Sequence, residues 1–455
     1  MASAVSPATA YRTAATILWA LALWNTTHYR GLFWDGAGLL ALMLDKGWFH
    51  WSFYAARAHV MWLTQLPVVV AVELGVRDTA VLALAYSAGL FALPAAIYHL
   101  ALWRARNDAV ALTAVLAAIT VVYVPTSFYI ISEFHAAAAL AVAAMTIVAT
   151  SDRLGWFEGV ALSLLGLVAL RSYEAMIHLG PLLAVAIGWR TWRSAPSPGG
   201  ARLLGWLASA LFAGAGAVSL GTLAEYWAHP HFGGMRSSVG RFWEDLQFVL
   251  AAGAAVIVAI ALLVRPSLLR GRAVYGVAGI FVALLACSGL LHYILPGTII
   301  HAPSHYVARA GAGLFLWAML AGWFVHVAWP GLLPHLGAVL REAVVGRRML
   351  MLATALLLAA SVPDVVLTAR WSEYVRTVQS IVQENGGRLN VVETVLAEER
   401  YRAFAQDWTY PVISLLLRKD PSNAVLVEPI VTYGTPWNLN PDIRMPPLEG
   451  YAWRR

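Results

Sequence analysis

Residues 79–103 read TAVLALAYSAGLFALPAAIYHLALW, an apolar run without Asp, Glu, Lys or Arg that is followed by Arg104 and Arg106. A helix needs roughly 20 such residues to cross the hydrocarbon core of a bilayer. The whole chain has the same character, because 60% of its 455 residues are hydrophobic and only 12% are charged. Its mean hydropathy is +0.67, well outside the range of soluble domains. The sequence therefore predicts an integral membrane protein.

Similar apolar runs recur along the chain and predict about eleven transmembrane helices. Their approximate limits are residues 13–30, 79–103, 108–124, 135–150, 156–171, 175–190, 203–227, 245–264, 273–295, 309–328 and 348–366. The first run follows a short polar N-terminus and lacks a clear cleavage site, so it is interpreted as a retained helix. The predicted fold class is an all-α polytopic membrane protein.

Residues 58–75 are hydrophobic enough to count as another span, and the positions of the basic residues argue against it. The most basic loops, 103–106, 152–153, 190–202, 265–272 and 341–348, fall on one side of the membrane only if residues 58–75 do not cross it. We therefore expect an external helix that lies in the interface or is re-entrant. The same rule predicts a cytoplasmic N-terminus and a first external loop at residues 31–78. We expect a multi-pass protein of the inner (plasma) membrane.

The net charge of +7 does not indicate nucleic-acid binding, because Arg and Lys occur in short groups and form no continuous basic stripe. We interpret the excess as a topology signal. Cys287 is the only cysteine, so a single chain contains neither a disulfide nor a thiolate metal site.

Two regions are predicted: a transmembrane domain at residues 1–369 and an external, periplasmic C-terminal region at residues 370–455. In the second, residues 371–384 resemble a helix, residues 385–387 a turn and residues 389–392 a short strand, before another helix-like stretch that extends to residue 417. This region is too small to bury much core alone, so it is expected to dock onto the outer face of the membrane domain.

Asp35 lies just after the first apolar run, in the sequence Phe33-Trp34-Asp35-Gly36. A carboxylate at a bilayer surface is costly unless it is used, so the first external loop is the leading candidate for an active site. The structural alternative is that Asp35 only caps a helix that begins at Gly36, since Asp is a favoured N-cap.

Other ionisable side chains gather at the predicted external ends of the spans, and histidine is the only ionisable residue type in the middle of one. The candidate site residues are Asp35, Arg57, His59, Glu133, His135, Arg171, Glu174, His305, Tyr306 and Arg309. Two of these residues have a structural alternative. Arg309 could be an ordinary anchor at a helix end, and Glu133 could be a carboxylate stabilised by a helix N-terminus. Arg171 and Glu174 flank a tight turn and are expected to form a salt bridge with each other.

The order of these motifs resembles the GT-C superfamily of integral membrane glycosyltransferases, especially its aminoarabinose and mannosyl transferase branch. The resemblance covers roughly the first third of the chain and is carried by Trp34-Asp35, Arg57 with Trp62, Gly75-Val76-Arg77, Trp103-Arg104 and residues 125–135. The family often has a second acid where this chain has Gly36, and an Asp where it offers Glu133 or His135. A metal site built from paired acids is therefore not predicted, and the use of a divalent cation is left open.

The resemblance implies transfer of a sugar from a polyprenyl-phosphate donor to a glycan, lipid or protein acceptor, with Asp35 as the base that activates the acceptor. The chemistry is consistent with the residue types, because sugar transfer needs a carboxylate at the nucleophile and cations at the departing phosphate. Arg57, His59 and Arg309, with His305 and Tyr306 as neutral donors, are assigned to the donor phosphate. Glu133, His135, Arg171 and Glu174 are assigned to the acceptor pocket or its surroundings.

Two other functions compete with this hypothesis. A transporter or flippase would place polar groups near the middle of the membrane, with broken helices or internal repeats, and the sequence indicates neither. A membrane scaffold would explain the hydrophobicity but not the one-sided cluster of charged side chains.

Overall fold

The computed structural model shows a chain that is helical in most of the residues it describes. It describes residues 5–46, 48–50, 55–125, 133–194, 199–228, 243, 245–265, 267–271, 273–294, 302–332, 334–385, 387–402, 404, 409–417 and 425–428.

The helices of the first half are α1 (Pro7–Thr27), α2 (Asp35–Lys46), α3 (Ala58–Glu73), α4 (Thr79–Ala105), α5 (Ala109–Ala118), α6 (Glu133–Thr150), α7 (Trp156–Ala169), α8 (Met176–Arg193) and α9 (Gly199–Tyr226). Those of the second half are α10 (Leu246–Val264), α11 (Ser267–Arg270), α12 (Ala273–Ile294), α13 (Ala302–Ala328), α14 (Pro334–Leu340), α15 (Ala343–Glu384), α16 (Glu399–Arg402) and α17 (Thr409–Leu417). Strands β1 (Gly387–Asn390) and β2 (Val425–Glu428) pair in parallel, with Gly387 opposite Val425.

Six of the described helices are long and apolar enough to cross a membrane: α4, α6, α9, α10, α15 and the part of α13 at Ala308–Ala328. Three other predicted crossings correspond to shorter apolar helices, at α5, α7 and α12. An all-α membrane protein is thus confirmed in this coarse form, whereas the number of eleven spans and their orientation stay predictions.

Contacts between helix ends define one end of the bundle, which we call the basic end. Arg104, in the last turn of α4, donates from Nη2 to Ser151 Oγ at 2.8 Å and to Glu158 Oε1 at 2.9 Å. Arg190 of α8 donates to the Val148 carbonyl at 3.0 Å. The end of α6, the start of α7 and the end of α8 therefore lie beside the end of α4. The opposite end of these helices, which we call the site end, carries the first residues of α6 and α8.

Helix α3 packs antiparallel along the first half of α4. There is no room for a Cβ at Gly89, because it would collide with the Thr64 carbonyl and come within 3.3 Å of Pro67 Cδ. The start of α3 lies near the end of α7, where the His59 N–H donates to the Arg171 carbonyl at 3.0 Å. Its 16 residues extend about 24 Å, less than the ~30 Å of a hydrocarbon core. This path fits a helix that does not cross, and its place relative to the bilayer stays a prediction.

Helix α15 is longer than expected. It extends without interruption through residue 370 to Glu384, with Pro363 inside it, so no structural break separates the predicted regions at that point. Beyond it, β1 and α17 match the predicted strand and second helical stretch. Trp371 is fully buried and packs against Phe404 with ring centroids 6.3 Å apart. Helix α17 packs against α2 and α15, so the described part of the C-terminal region is docked on the helix that begins at Asp35.

Candidate functional site

Asp35 is the first residue of α2, and its side chain is exposed. The N–H groups of Gly36 and Ala37 donate to the carbonyls of Phe33 and Trp34, each at 3.1 Å. An N-cap side chain would normally accept from such N–H groups, but the Asp35 carboxylate accepts no hydrogen bond from any residue that the structure describes. The helix also begins at Asp35 rather than at Gly36, so capping does not account for this carboxylate.

Arg57 forms the main ion pair of the site end. Its Nε–H donates to Glu174 Oε1 at 2.9 Å and to Oε2 at 3.2 Å, and its guanidinium lies 4.8 Å from the centre of the Tyr173 ring. Burial alone would lower the pKa of Arg57, but Glu174, followed by Tyr173 and Glu133, raises it above its ordinary value. Arg57 is therefore a permanent positive charge. The predicted salt bridge of Glu174 with Arg171 is wrong, because α3 brings Arg57 to Glu174 while Arg171 lies exposed.

Tyr173 connects the two arginines of the site. Its ring lies under Arg57, and its hydroxyl accepts a hydrogen bond from Arg309 Nη1 at 3.3 Å. Phe134 packs edge-on against the same ring, with centroids 5.6 Å apart. Sequence reasoning missed this residue, although its place in the turn between Arg171 and Glu174 was a usable signal. Arg57, over the ring, and Arg309, at the hydroxyl, are distant in sequence but contact the same tyrosine.

Glu133 brings Asp35 into the same cluster. It is the first residue of α6 and only 9% exposed, and it lies within electrostatic range of Arg57, Arg309 and Asp35. Tyr86, buried in α4, is within range of both Glu133 and Asp35. One end of the bundle thus combines an exposed carboxylate, Asp35, with two buried carboxylates, Glu133 and Glu174, and two arginines.

The two predicted histidines of the first third are held by structural contacts. His59 Nδ1 lies 2.7 Å from the Leu167 carbonyl, and its ring packs on Trp62 at 5.7 Å. This bond ties the start of α3 to α7, so His59 serves at least as an anchor. His135 is 2% exposed, and its ring packs edge-on against Tyr123 at 5.2 Å. These contacts leave the predicted roles of the two histidines in substrate binding untested, and those roles stay predictions.

Residues 302–308, which lie between the predicted spans 273–295 and 309–328, form the first two turns of α13. Pro303 is compatible with this because the N–H groups of a first helical turn have no intrahelical partner. His305 and Tyr306 are within these turns, and their side chains lie outside the described part of the structure. Their assignment to the donor phosphate is untested.

A second polar cluster lies inside the bundle, and sequence reasoning missed it. Arg30 Nη1 donates to Asp364 Oδ1 at 2.7 Å, to Asn25 Oδ1 at 3.0 Å and to Thr368 Oγ1 at 2.8 Å. Arg30 and Asp364 are at the ends of the first and last predicted spans, so nothing in the sequence pairs them. A signal was available in each, because a charged residue at the edge of an apolar run that is not solvated needs a partner.

No group of three His, Cys, Asp or Glu side chains within the described ranges could hold a metal ion, and a requirement for a divalent cation stays an untested prediction. Comparisons with protein-family models, curated proteins and solved structures found no match. The resemblance to the GT-C superfamily is therefore a hypothesis, and function is inferred from the site.

Proposed function

We propose that this protein is a membrane glycosyltransferase that transfers a sugar from a polyprenyl-phosphate donor to an acceptor at the outer face of the inner membrane. The observation that carries the proposal is Asp35, an exposed carboxylate without a hydrogen-bond partner among the described residues, which lies within electrostatic range of Glu133, as Arg57 and Arg309 also do. Glycosyl transfer from a phosphate needs these two kinds of group on the two sides of the reacting carbon.

In the proposed reaction, Asp35 accepts the proton of an acceptor hydroxyl. At the same time, the oxygen of that hydroxyl bonds to the anomeric carbon of the donor sugar. The bond from that carbon to the phosphate oxygen breaks, and the electron pair leaves with the polyprenyl phosphate. A single displacement of this kind inverts the configuration of the sugar. Positive charges are needed where the phosphate gains negative charge.

The two arginines are suited to different parts of this task. Arg57 is engaged through Nε by both oxygens of Glu174, so it contributes a fixed positive field. Arg309 Nη1 donates to the Tyr173 hydroxyl at 3.3 Å, and the planar fork of an arginine guanidinium matches the geometry of a phosphate group. We assign the direct phosphate contact to Arg309, while Glu133, His135 and Glu174 shape the acceptor side.

The test is sugar transfer by membranes that contain the protein. Polyprenyl-phosphate-linked mannose and aminoarabinose, radiolabelled in the sugar, are supplied in turn, and label is measured in lipid, glycan and protein fractions. Asp35→Asn should lower transfer by about 100-fold or more. Asp78→Asn is the matched control, because Asp78 is an exposed cap of α4 that accepts from the Ala80 N–H at 2.8 Å, a bond that Asn retains. Undiminished transfer by a folded Asp35→Asn protein would disprove the assignment of the base.

One observation favours the alternative of a transporter or flippase. The ion pair between Arg30 and Asp364 is almost fully buried, with side chains 1% and 3% exposed, and charges inside a membrane bundle often mark transport pathways. The alternative predicts that purified protein in vesicles moves a labelled polyprenyl-phosphate sugar across the bilayer without a change in its chemical structure. Transfer of label to an acceptor that Asp35→Asn abolishes would exclude it.

A further inference from the structure

The buried charges near the start of α2 form a cluster that we call the Arg30 clamp, made of Asn25, Arg30, Asp364 and Thr368. Besides the three bonds from Arg30 Nη1, Asn25 Nδ2 donates to Asp364 Oδ2 at 3.3 Å, and Thr368 Oγ1 donates to Asn25 Oδ1 at 3.0 Å. The guanidinium also lies 5.4 Å from the Phe91 ring centre. The clamp joins the end of α1, the turn at Arg30–Leu32 and the middle of α15.

Stability alone is a weak reason for such a clamp. Desolvation of two charges offsets much of their attraction, and well-packed apolar residues at the same places are often as stable or more so. In some proteins a buried pair instead restricts geometry, and here Arg30 Nη1 has acceptors on both α1 and α15. Asp364 and Thr368 are one helical turn apart and present their acceptors on the same face of α15. The clamp therefore defines where Arg30 lies relative to α15.

The chain between Arg30 and Asp35 is held at several further points. The Gly31 N–H donates to Ser87 Oγ at 3.0 Å, and a Cβ at Gly31 would lie only 2.7 Å from Ser87 Cα. Phe33 packs edge-on against Trp371 of α15, with centroids 5.4 Å apart. Each contact restricts the movement of this short segment. The backbone therefore has little conformational freedom where the segment ends, at Asp35.

Two residues, Tyr29 just before this segment and Trp34 near its end, have left-handed backbone conformations that side chains disfavour. Tyr29 has φ 56° and Trp34 has φ 47°, a region in which a Cβ comes too close to the following carbonyl oxygen. The Tyr29 carbonyl accepts a hydrogen bond from Trp371 Nε1 at 3.2 Å, and the Trp34 ring stacks on Phe33 at 5.0 Å. Such conformations persist only where the surroundings determine them.

We propose that Arg30, held by Asp364, is a positioning residue that determines where the Asp35 carboxylate points. The importance of that direction rests on the proposed function, because a base has to be held close to the productive geometry. The positional effect itself does not depend on which reaction is catalysed, so it can be measured without a sugar substrate.

The test measures distances between spin labels in the full chain, with Cys287→Ser to remove the native thiol and labels at Asp35→Cys and Leu74→Cys. Leu74, at the end of α3, is 79% exposed and does not touch the clamp. Asp364→Asn should widen the distance distribution about twofold or more. Ser361→Ala is the control, because Ser361 is buried one turn away on α15 and its hydroxyl bonds only to the Leu357 carbonyl, at 2.8 Å; it should leave the distribution unchanged.

A double variant separates positioning from stability. Arg30→Met with Asp364→Leu removes both charges and should recover the melting temperature lost in Asp364→Asn, as apolar replacements of buried pairs do. Positioning predicts that its distance distribution nevertheless stays broad. A narrow distribution in Asp364→Asn, or its recovery in the double variant, would overturn the proposal and leave the proposed function intact.

Transfer kinetics provide the second readout. Asp364→Asn should lower kcat by about 100-fold, the cost of a displacement of about 1 Å at a catalytic group, with little change in KM for the donor. Full sugar transfer by Asp35→Asn would contradict the proposed function but not the positioning role of Arg30. Failure of the proposed function and failure of this proposal are therefore distinguishable.

Discussion

Arg57 and Glu174 form the pair whose loss the site should tolerate least. Their side chains are 19% and 10% exposed, and removal of one member leaves a mostly buried charge without its counter-charge. We expect Arg57→Gln to lower the free energy of unfolding by about 3 kcal/mol. The double variant Arg57→Gln with Glu174→Gln should recover much of this loss. Thermal unfolding in detergent measures both effects.

The control for that pair is Arg400 with Glu398, which are 2.8 Å apart but each 49% exposed. Solvent screens such pairs, so Arg400→Gln should change stability by less than about 1 kcal/mol. Equal losses of stability for Arg57→Gln and Arg400→Gln would show that the ion pair of the site end contributes no more to stability than an exposed pair.

Helix α10 begins with a buried acid that should make stability depend on pH. Asp245 accepts from the Phe248 N–H at 2.9 Å, and burial, partly offset by bonds from the N–H groups of Phe248 and Gln247, raises its pKa to about 6. Between pH ~4 and ~6 the folded chain binds more protons than the unfolded chain, so stability falls as the pH rises through this window. Above it, the penalty is about 3 kcal/mol.

Asp245→Asn keeps a capping oxygen and removes the charge. The variant should therefore be more stable than the wild type at pH 7.5 and equal to it near pH 4, when melting temperatures are compared across that range. Asp78→Asn, at an exposed cap of α4, should show no such difference. A gain from Asp245→Asn that is the same at both pH values would contradict the role of the charge.

The contact between α3 and α4 depends on the absence of a side chain at Gly89. Gly89→Ala would push its Cβ into the Thr64 carbonyl, and the resulting overpacking should cost about 1–3 kcal/mol. Gly221→Ala is the matched control, because a Cβ there meets nothing within 4 Å and alanine favours a helix over glycine by about 1 kcal/mol. The two substitutions should shift the melting temperature in opposite directions.

For the protein as a whole, the topology prediction is tested by thiol labelling from outside intact cells in a Cys287→Ser background. Asp35→Cys and Leu74→Cys should both react from outside if α3 does not cross. Asn107→Cys is exposed next to the basic end and should react only after the membrane is permeabilised. Labelling of Asp35→Cys and Leu74→Cys from opposite sides would show that α3 crosses and that the later arginines cannot share a face with Asp35.

Apolar run length and charge pattern were sufficient to predict a membrane protein made of helices and a cluster of charged residues at one end, whereas the non-crossing path of residues 58–75 stays a prediction. These properties are encoded locally, because the transfer cost of each residue depends on its own side chain and its near neighbours. The same local signals predicted β1 and α17 in the C-terminal region.

Tertiary structure alone decided which charges meet. Glu174 pairs with Arg57 and not with its neighbour Arg171 because the start of α3, next to Arg57, lies at the end of α7. Arg30 and Asp364 meet because α1 and α15 pack side by side. A single sequence contains no signal for such partners, since the energy of a buried charge depends on distant residues that only packing brings within hydrogen-bond distance.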